Sequence, residues 1–412
     1  VKVLFVSASD RIGGAAIGGY RLHQALQGAG VHSEMLVLRK ASADPSVFQL
    51  ANYLDRPRRA RRRLGAIRHA RRLRDNPRTM ESDYWSLNQF GYPIAAAINS
   101  FHADIVHLNW VGDNYLPIRE VAKIEAPIVW TLQDMWALTG GCHYAQDCLA
   151  YQTGCGNCPQ LMAGSVNDLS ARVIREKRLA WSRLPLTAVA LSNWLADCAR
   201  ESALFKNKRV EVIGNPVDPT LYKPLDKVAA RRAFNLPLGK KLILFGAVGG
   251  TSDKRKGFSY LREALGGISA ENMELVIFGS PQREALQLGI TTHQVGRLQD
   301  DVSLSLLYSA ADVYVLPTLQ EALGNTLVEA LACGTPCVTF DGSGAVDVVQ
   351  HQRTGYVARL KDSADLLAGI EWVLSQAWPR KKLHESALAR YGSKQIASQA
   401  IKLYDSLLGD CQ

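Results

Sequence analysis

At 412 residues, with 47% hydrophobic and 21% charged side chains, the chain has the composition of an ordered protein and enough length for two cores of ordinary size. Its longest apolar runs, around 93–98 and 184–191, fall far short of the ~20 residues that a membrane-spanning helix needs, which excludes an integral helical membrane protein. The formal net charge of +10 is local: ten arginines and no acidic residue fill the span from Arg56 to Arg74, and without them the total is zero.

In chain order, the opening VKVLFVSAS lacks a basic leader and a cleavage site, so 3–6 reads as a first core strand and the cytosol is the expected compartment. Short apolar runs at 35–38, 104–108, 128–132 and 187–191 read as further strands, separated by helical patterns such as 20–28 and 84–101. Strands alternating with helices predict a doubly wound parallel sheet. A stretch rich in breakers, Ile213-Gly-Asn-Pro-Val-Asp-Pro219 and then Tyr222-Lys-Pro224, reads as a linker. The pattern restarts with strands at 242–246, 275–278, 313–316 and 337–340 and ends in an amphipathic helix over 393–408. The implied organisation is an α/β protein with domains 1–218 and 219–390 and a terminal segment 391–412.

Within the arginine block, Leu64, Ile67, Ala70 and Leu73 recur every three residues, as a helix needs to lay one apolar stripe on lipid between flanking arginines. An anionic membrane surface is the natural partner, and a solvated basic helix or loop is the alternative. Nucleic acid fits less well, because no aromatic residue interleaves the arginines to stack on bases. In the insertion 139–160, Cys142, Cys148, Cys155 and Cys158 cluster with a terminal C-x2-C and with His143 nearby. Four thiolates suit a structural zinc, and two disulfides are the alternative. Cys198, Cys333, Cys337 and Cys411 are scattered.

The most informative stretch is 314–338, YVLPTLQEALGNTLVEALACGTPCV, in which Glu321 and Glu329 stand eight residues apart across a strand-to-helix turn. A helix over 326–332, started by Asn325, would aim the amides of Leu323, Gly324, Asn325 and Thr326 out of its N-terminus, where a phosphate is favoured. Glu329, one turn in, could chelate a ribose diol, while Glu321 lies beside whatever the diphosphate carries. Upstream stand a glycine-rich turn from Gly246 and the run Arg255-Lys256-Gly257, and downstream Gly334-Thr335-Pro336.

These motifs, in this order, resemble those of the retaining glycosyltransferases of family 4 over nearly the whole chain. The resemblance implies the GT-B fold: two Rossmann-like doubly wound domains facing a cleft, with the C-terminal helix crossing back onto the N-terminal domain. It implies transfer of a hexosyl group from a nucleotide-diphosphate sugar to a saccharide or polyprenyl-diphosphate-linked acceptor in polysaccharide biosynthesis. By the same resemblance Lys256, with Arg255, meets the diphosphate, and Gly13, Gly14 and Ala15 form a first loop facing donor phosphate and acceptor. Asn109, Trp110, Asp134 and His143, at strand ends of the first half, are the acceptor-side candidates. The Cys-rich insertion is similar to one in a branch that builds exopolysaccharides, of the colanic-acid type. No Asp-x-Asp occurs, so no catalytic metal is expected. The sequence departs from the family at Gln133, where a histidine is common, and at Gly250, where many relatives carry an arginine. A sugar-nucleotide epimerase of the same architecture and a non-catalytic scaffold are the competing readings.

Overall fold

The computed structural model describes residues 1–54, 56–79, 84–90, 93–246, 251, 253–267, 270–279, 288–298 and 300–409, with the backbone alone at 56, 58, 59, 61, 62 and 270. These residues form two compact units, 1–214 with 397–412, and 215–396.

The first unit holds a seven-stranded sheet built from β1 (Lys2–Ser9), β2 (His32–Arg39), β3 (Val47–Gln49), β4 (Ile105–Leu108), β5 (Ile128–Leu132), β6 (Leu186–Ala190) and β7 (Arg209–Val212). Its order is β3-β2-β1-β4-β5-β6-β7, and every pairing is parallel. The second unit holds β8 (Lys241–Gly246), β9 (Met273–Phe278), β10 (Thr292–Gly296), β11 (Val313–Leu316), β12 (Cys337–Phe340) and β13 (Gly355–Ala358), all parallel, in the order β10-β9-β8-β11-β12-β13. Helices cover both faces of such sheets, so the central strands are apolar throughout; Val3, Leu4, Phe5 and Val6 are all fully buried.

Four strands have no counterpart among the expected ones: β3, β7, β10 and β13. All four are sheet edges. An edge strand meets water along one side and need not be apolar, so it leaves a weak trace in sequence. The helical pattern at 84–101 is corrected: the helix is only Ala95–Asn99. Trp85 instead pairs with Cys142 in an antiparallel bridge, and the Ser86 amide donates to Gly141 O at 3.0 Å. Asn88 then turns the chain at φ +48° and donates to the carbonyls of Val111 and Leu116. Tertiary hydrogen bonds have replaced helical ones over this stretch.

The helix Ser393–Gly409 starts in the second unit and ends in the first. Its start is fixed by backbone bonds between Val217 and both Tyr391 and Ser393, all within the second unit. Its end is fixed by Tyr404, whose hydroxyl meets His107 Nδ1 at 2.6 Å, while His107 Nε2 meets Thr131 Oγ1 at 2.6 Å. Burial pushes the His107 imidazole down to about 3, so the ring is neutral and needs both hydroxyl partners. Tyr404→Phe removes one partner from a buried ring and is expected to destabilise the first unit by about 1–3 kcal/mol, read as a fall in the unfolding midpoint in urea. An unchanged midpoint would mean that apolar packing alone holds the helix end.

Candidate functional site

In an open parallel sheet, ligands bind at the carboxyl ends of the strands where the strand order reverses. In the second unit that point lies between β8 and β11, tied together by the Tyr314 hydroxyl donating to Gly246 O at 2.6 Å. From β11 the chain passes through residues 317–324 into the helix Asn325–Ala332. Beyond β8, the single turn Lys254–Lys256 ends at Gly257, which has φ +72°. A Cβ on Gly257 would lie 1.8 Å from Pro317 O, so only glycine lets the two loops approach this closely. Leu319 N–H (2.8 Å) and Thr318 Oγ1 (3.1 Å) both donate to Arg255 O and lock the contact.

The result is a carboxylate gripped by two cations. Glu321 Oε2 accepts from Lys256 Nζ and, at 3.1 Å, from Arg255 Nη1; Arg255 also donates to Gln320 O at 2.9 Å and to Asp253 Oδ2 at 3.2 Å. The Glu321 and Lys256 side chains are each 13% exposed, so solvent screens the pair weakly. Burial alone would raise the Glu321 carboxyl, but the Lys256 charge, followed by that of Arg255, outweighs it and brings it down to about 2.

Gly324, at φ +90°, precedes the helix, and the first bond inside it runs from Leu327 N–H to Gly324 O at 2.9 Å. The amides before Leu327 therefore have no helical carbonyl to reach. Asn325 Oδ1 accepts from Asn215 Nδ2 at 3.0 Å. Glu329 is 5% exposed, and its Oε2 accepts from the buried Tyr308 hydroxyl at 3.0 Å. The Gly344 amide donates to Glu321 O at 2.9 Å, bringing the loop after β12 to the same place. Asp253, Tyr308 and Gly344 carried no sequence signal, since each acts by supporting a residue from another segment. The glycine-rich turn, including Gly250, falls at 247–250 and 252, and Ser280 lies in 280–287; both are outside the described residues.

The first unit repeats the device. Its order reverses between β1 and β4. Gly13, at φ +91°, starts the helix Gly14–Gly28, and Asn109, just past β4, donates from Nδ2 to Ala15 O at 2.9 Å. Gln133 Nε2 donates to Asn109 Oδ1 at 2.8 Å. Asp134 accepts from the Trp110 indole (2.8 Å) and the Trp136 amide (2.8 Å) and pairs with His143 Nδ1 (2.6 Å). Burial pushes the Asp134 carboxyl up, but His143 and these hydrogen bonds outweigh it and hold it below the usual carboxylate range. His143 Nε2 meets Ser86 Oγ at 2.9 Å, so both ring nitrogens of this buried histidine are engaged inside the protein. Asn109, Trp110, Gln133, Asp134 and His143 line one small cavity.

Cys142, Cys148, Cys155 and Cys158 line another cavity, with Thr139 and Gly140, and all four are free thiols. Among the described residues no group of three or more His, Cys, Asp or Glu side chains is placed so that it could hold a metal ion as it stands, the four cysteines included. Arg56–Arg74 is helical, and Leu64 (53%) and Ile67 (64%) are exposed on it. Among the described residues no helix is long and apolar enough to cross a membrane.

Residues 12–221 match the model of Glycosyltransferase Family 4, and 226–390 match that of Glycosyl transferases group 1. The chain belongs to Glycosyltransferase Family 4. It is 30% identical over 181 residues to the phosphatidyl-myo-inositol mannosyltransferase of Mycobacterium leprae, covering 41% of this chain and 47% of that protein. An uncharacterized glycosyltransferase of Methanocaldococcus jannaschii is 30% identical over 214 residues, covering 48% of this chain and 54% of the relative. The chain thus spans about half the length of the curated relatives it matches. Sucrose-phosphate synthase from Thermosynechococcus elongatus shares the fold at a TM-score of 0.69 and 20% identity, over 99% of both chains. So does Anabaena HepE, solved with UDP-glucose, at 0.67 and 16% identity, over 98% of this chain and 99% of that one. These neighbours establish GT-B architecture.

The Glu321 cluster makes a pH prediction. A carboxyl depressed by folding contributes stability that is complete above its ordinary value of 4.5 and is lost as pH falls towards about 2. Glu321→Gln is expected to lower stability by roughly 2 kcal/mol at neutral pH, with the deficit shrinking between those two values. The check is the difference in melting temperature between the two proteins across that window; a constant difference would contradict the coupling.

Proposed function

We propose that this protein transfers a hexosyl group from a nucleotide-diphosphate sugar to a saccharide or lipid-linked saccharide, with retention at the anomeric carbon and without a catalytic metal. The observation that carries this reading is the Lys256–Glu321–Arg255 cluster at the reversal point of the second sheet, next to the N-terminus of the helix Asn325–Ala332. A departing diphosphate needs positive charge where its own negative charge grows, and groups already fixed in place supply it without reorganisation. Lys256 and Arg255 are such groups, and Glu321 holds them in position before the donor arrives. With the diphosphate present, Lys256 turns part of its charge to phosphate, and Glu321 is released to orient the sugar hydroxyls.

In the same reading the amides of Leu323, Gly324 and Thr326, with that of Asn325, cradle the diphosphate. Glu329 holds the ribose with Tyr308 bracing it from behind. No glutamate is required as a covalent nucleophile, and a phosphate oxygen takes the acceptor's proton. The chain contains no Asp-x-Asp to present a divalent cation, so protein cations carry that role. Gly13, Ala15, Asn109, Trp110, Asp134 and His143 are the acceptor-side surface. Gln133 keeps a hydrogen bond to Asn109 but offers no charge, which favours as a second reading a scaffold that binds the donor without turning it over.

The product belongs in polysaccharide assembly of the exopolysaccharide type, made at the cytoplasmic face of a membrane. Docking there is assigned to Arg56–Arg74, where exposed Leu64 and Ile67 would enter the headgroup layer and the arginines would meet anionic lipid at about 1 kcal/mol each.

Three outcomes are expected. In a thermal-shift screen, one nucleoside diphosphate and its sugar should stabilise the protein by ~2.7 kcal/mol at a hundred times the dissociation constant. Lys256→Ala should lower turnover by about a thousandfold, and Glu329→Ala should weaken donor affinity at least about tenfold. Full activity in both variants would remove the assigned donor site, and tight donor binding with no product across an acceptor panel would select the scaffold. Sedimentation with vesicles should require anionic lipid and fall with salt; equal binding to neutral vesicles would refute electrostatic docking.

A further inference from the structure

Residues 139–168 present a physical problem. They contain one short turn of regular structure, Ala150–Gln152, and left-handed backbone at Gly141, Gln146, Gly154, Gly156, Asn157 and Gly164. Backbone bridges at Trp85–Cys142 and Arg78–Leu161 tie down its two ends, and the turns between them must be held by side chains. What its interior offers is sulfur: Cys142, Cys148, Cys155 and Cys158 come from separate turns of the loop and line one cavity.

We propose that these four cysteines form a structural zinc site whose purpose is to hold His143 against Asp134. Zinc is the soft, tetrahedral cation that four thiolates select. On binding, the four thiols turn inward on the cavity they share, four Zn–S bonds form and four protons are released to solvent. Backbone amides of Gln160 and Leu161 face the Cys158 sulfur, and that of Gly140 faces the Cys155 sulfur, so the loop aims N–H groups at two of the four sulfurs. The buried Lys177 lies beside Cys155 and Cys142.

The same groups lead directly to the acceptor-side cavity. Lys177 Nζ donates to Thr139 O at 3.0 Å and to Trp136 O, and lies 3.7 Å from the centre of the Trp136 ring. Thr139 Oγ1 donates to Cys142 O at 2.6 Å, and the next residue, His143, is bonded through its carbonyl to the Met135 amide at 2.9 Å. Gln160, two residues past the last cysteine, bridges the Trp85 indole (3.0 Å) and Tyr144 O (2.8 Å). A metal fixing the four sulfurs therefore fixes the main chain on either side of His143. This inference does not depend on which sugar is transferred, or on transfer at all.

The test is metal analysis of the intact protein expressed with zinc and purified without chelator. About one zinc per chain is expected, released by a mercurial that caps thiols, with new protease cleavage inside 142–165 once the metal has left. Cys155→Ser should abolish the zinc content. Because misfolding of that variant would also lose metal, the wild-type stoichiometry and its cleavage pattern before and after metal release decide the matter by themselves. Less than about a tenth of an equivalent of zinc after reconstitution, two disulfides in non-reducing mass spectrometry, or cleavage unchanged by metal release would each overturn the proposal.

Discussion

The second unit is organised around one carboxylate that could not stay ionised without its neighbours. Glu321 is mostly buried, and burial by itself would drive it towards the neutral acid; Lys256 and Arg255 reverse that balance. The cations come from the loop after β8 and the carboxylate from the loop after β11, so the ion cluster also sets the spacing of the two loops. Gly257 makes the spacing attainable, because any side chain there would collide with Pro317 O. Charge, loop path and glycine are thus one constraint seen at three levels. It is also a constraint suited to a ligand: cations already fixed by a carboxylate can be shared with an incoming anion without first being ordered.

The first unit places its polar groups by the same topological rule with different chemistry. At its reversal point there is no cation cluster among the described residues but a chain of hydrogen-bonded polar groups, Gln133 to Asn109 and Trp110 to Asp134 to His143. Aromatic rings surround it, with Tyr84, Trp110 and Trp136 all near His143.

How much of this was legible in the sequence follows from which interactions are local. Central strands such as Ile128–Leu132 and Val313–Leu316 are buried on both faces and declare themselves as apolar runs. Edge strands β3, β7, β10 and β13 do not, because half of their environment is solvent. The turn from Glu321 into Asn325–Ala332 could be read because Gly324 and the helix pattern are contiguous. The ion cluster could be read only in part: Lys256 and Glu321 were singled out separately, but nothing in a linear string says that they touch. The stretch around Trp85 misled for the opposite reason. Its helical periodicity is real, yet Ser86 and Asn88 find better partners in Gly141, Val111 and Leu116, far away in sequence. Partners such as Tyr308 for Glu329 and Ser86 for His143 were invisible for the same reason.

The central claim is that Lys256, Arg255 and the amides before Leu327 receive a nucleotide's diphosphate. A crystal structure of the protein with the nucleoside diphosphate that binds it in solution tests this most directly. The account predicts phosphate oxygens within hydrogen-bonding distance of Lys256 Nζ and of the amides between Leu323 and Thr326, with the Lys256–Glu321 contact lengthened. A diphosphate bound elsewhere, with Lys256 still closed on Glu321, would contradict it.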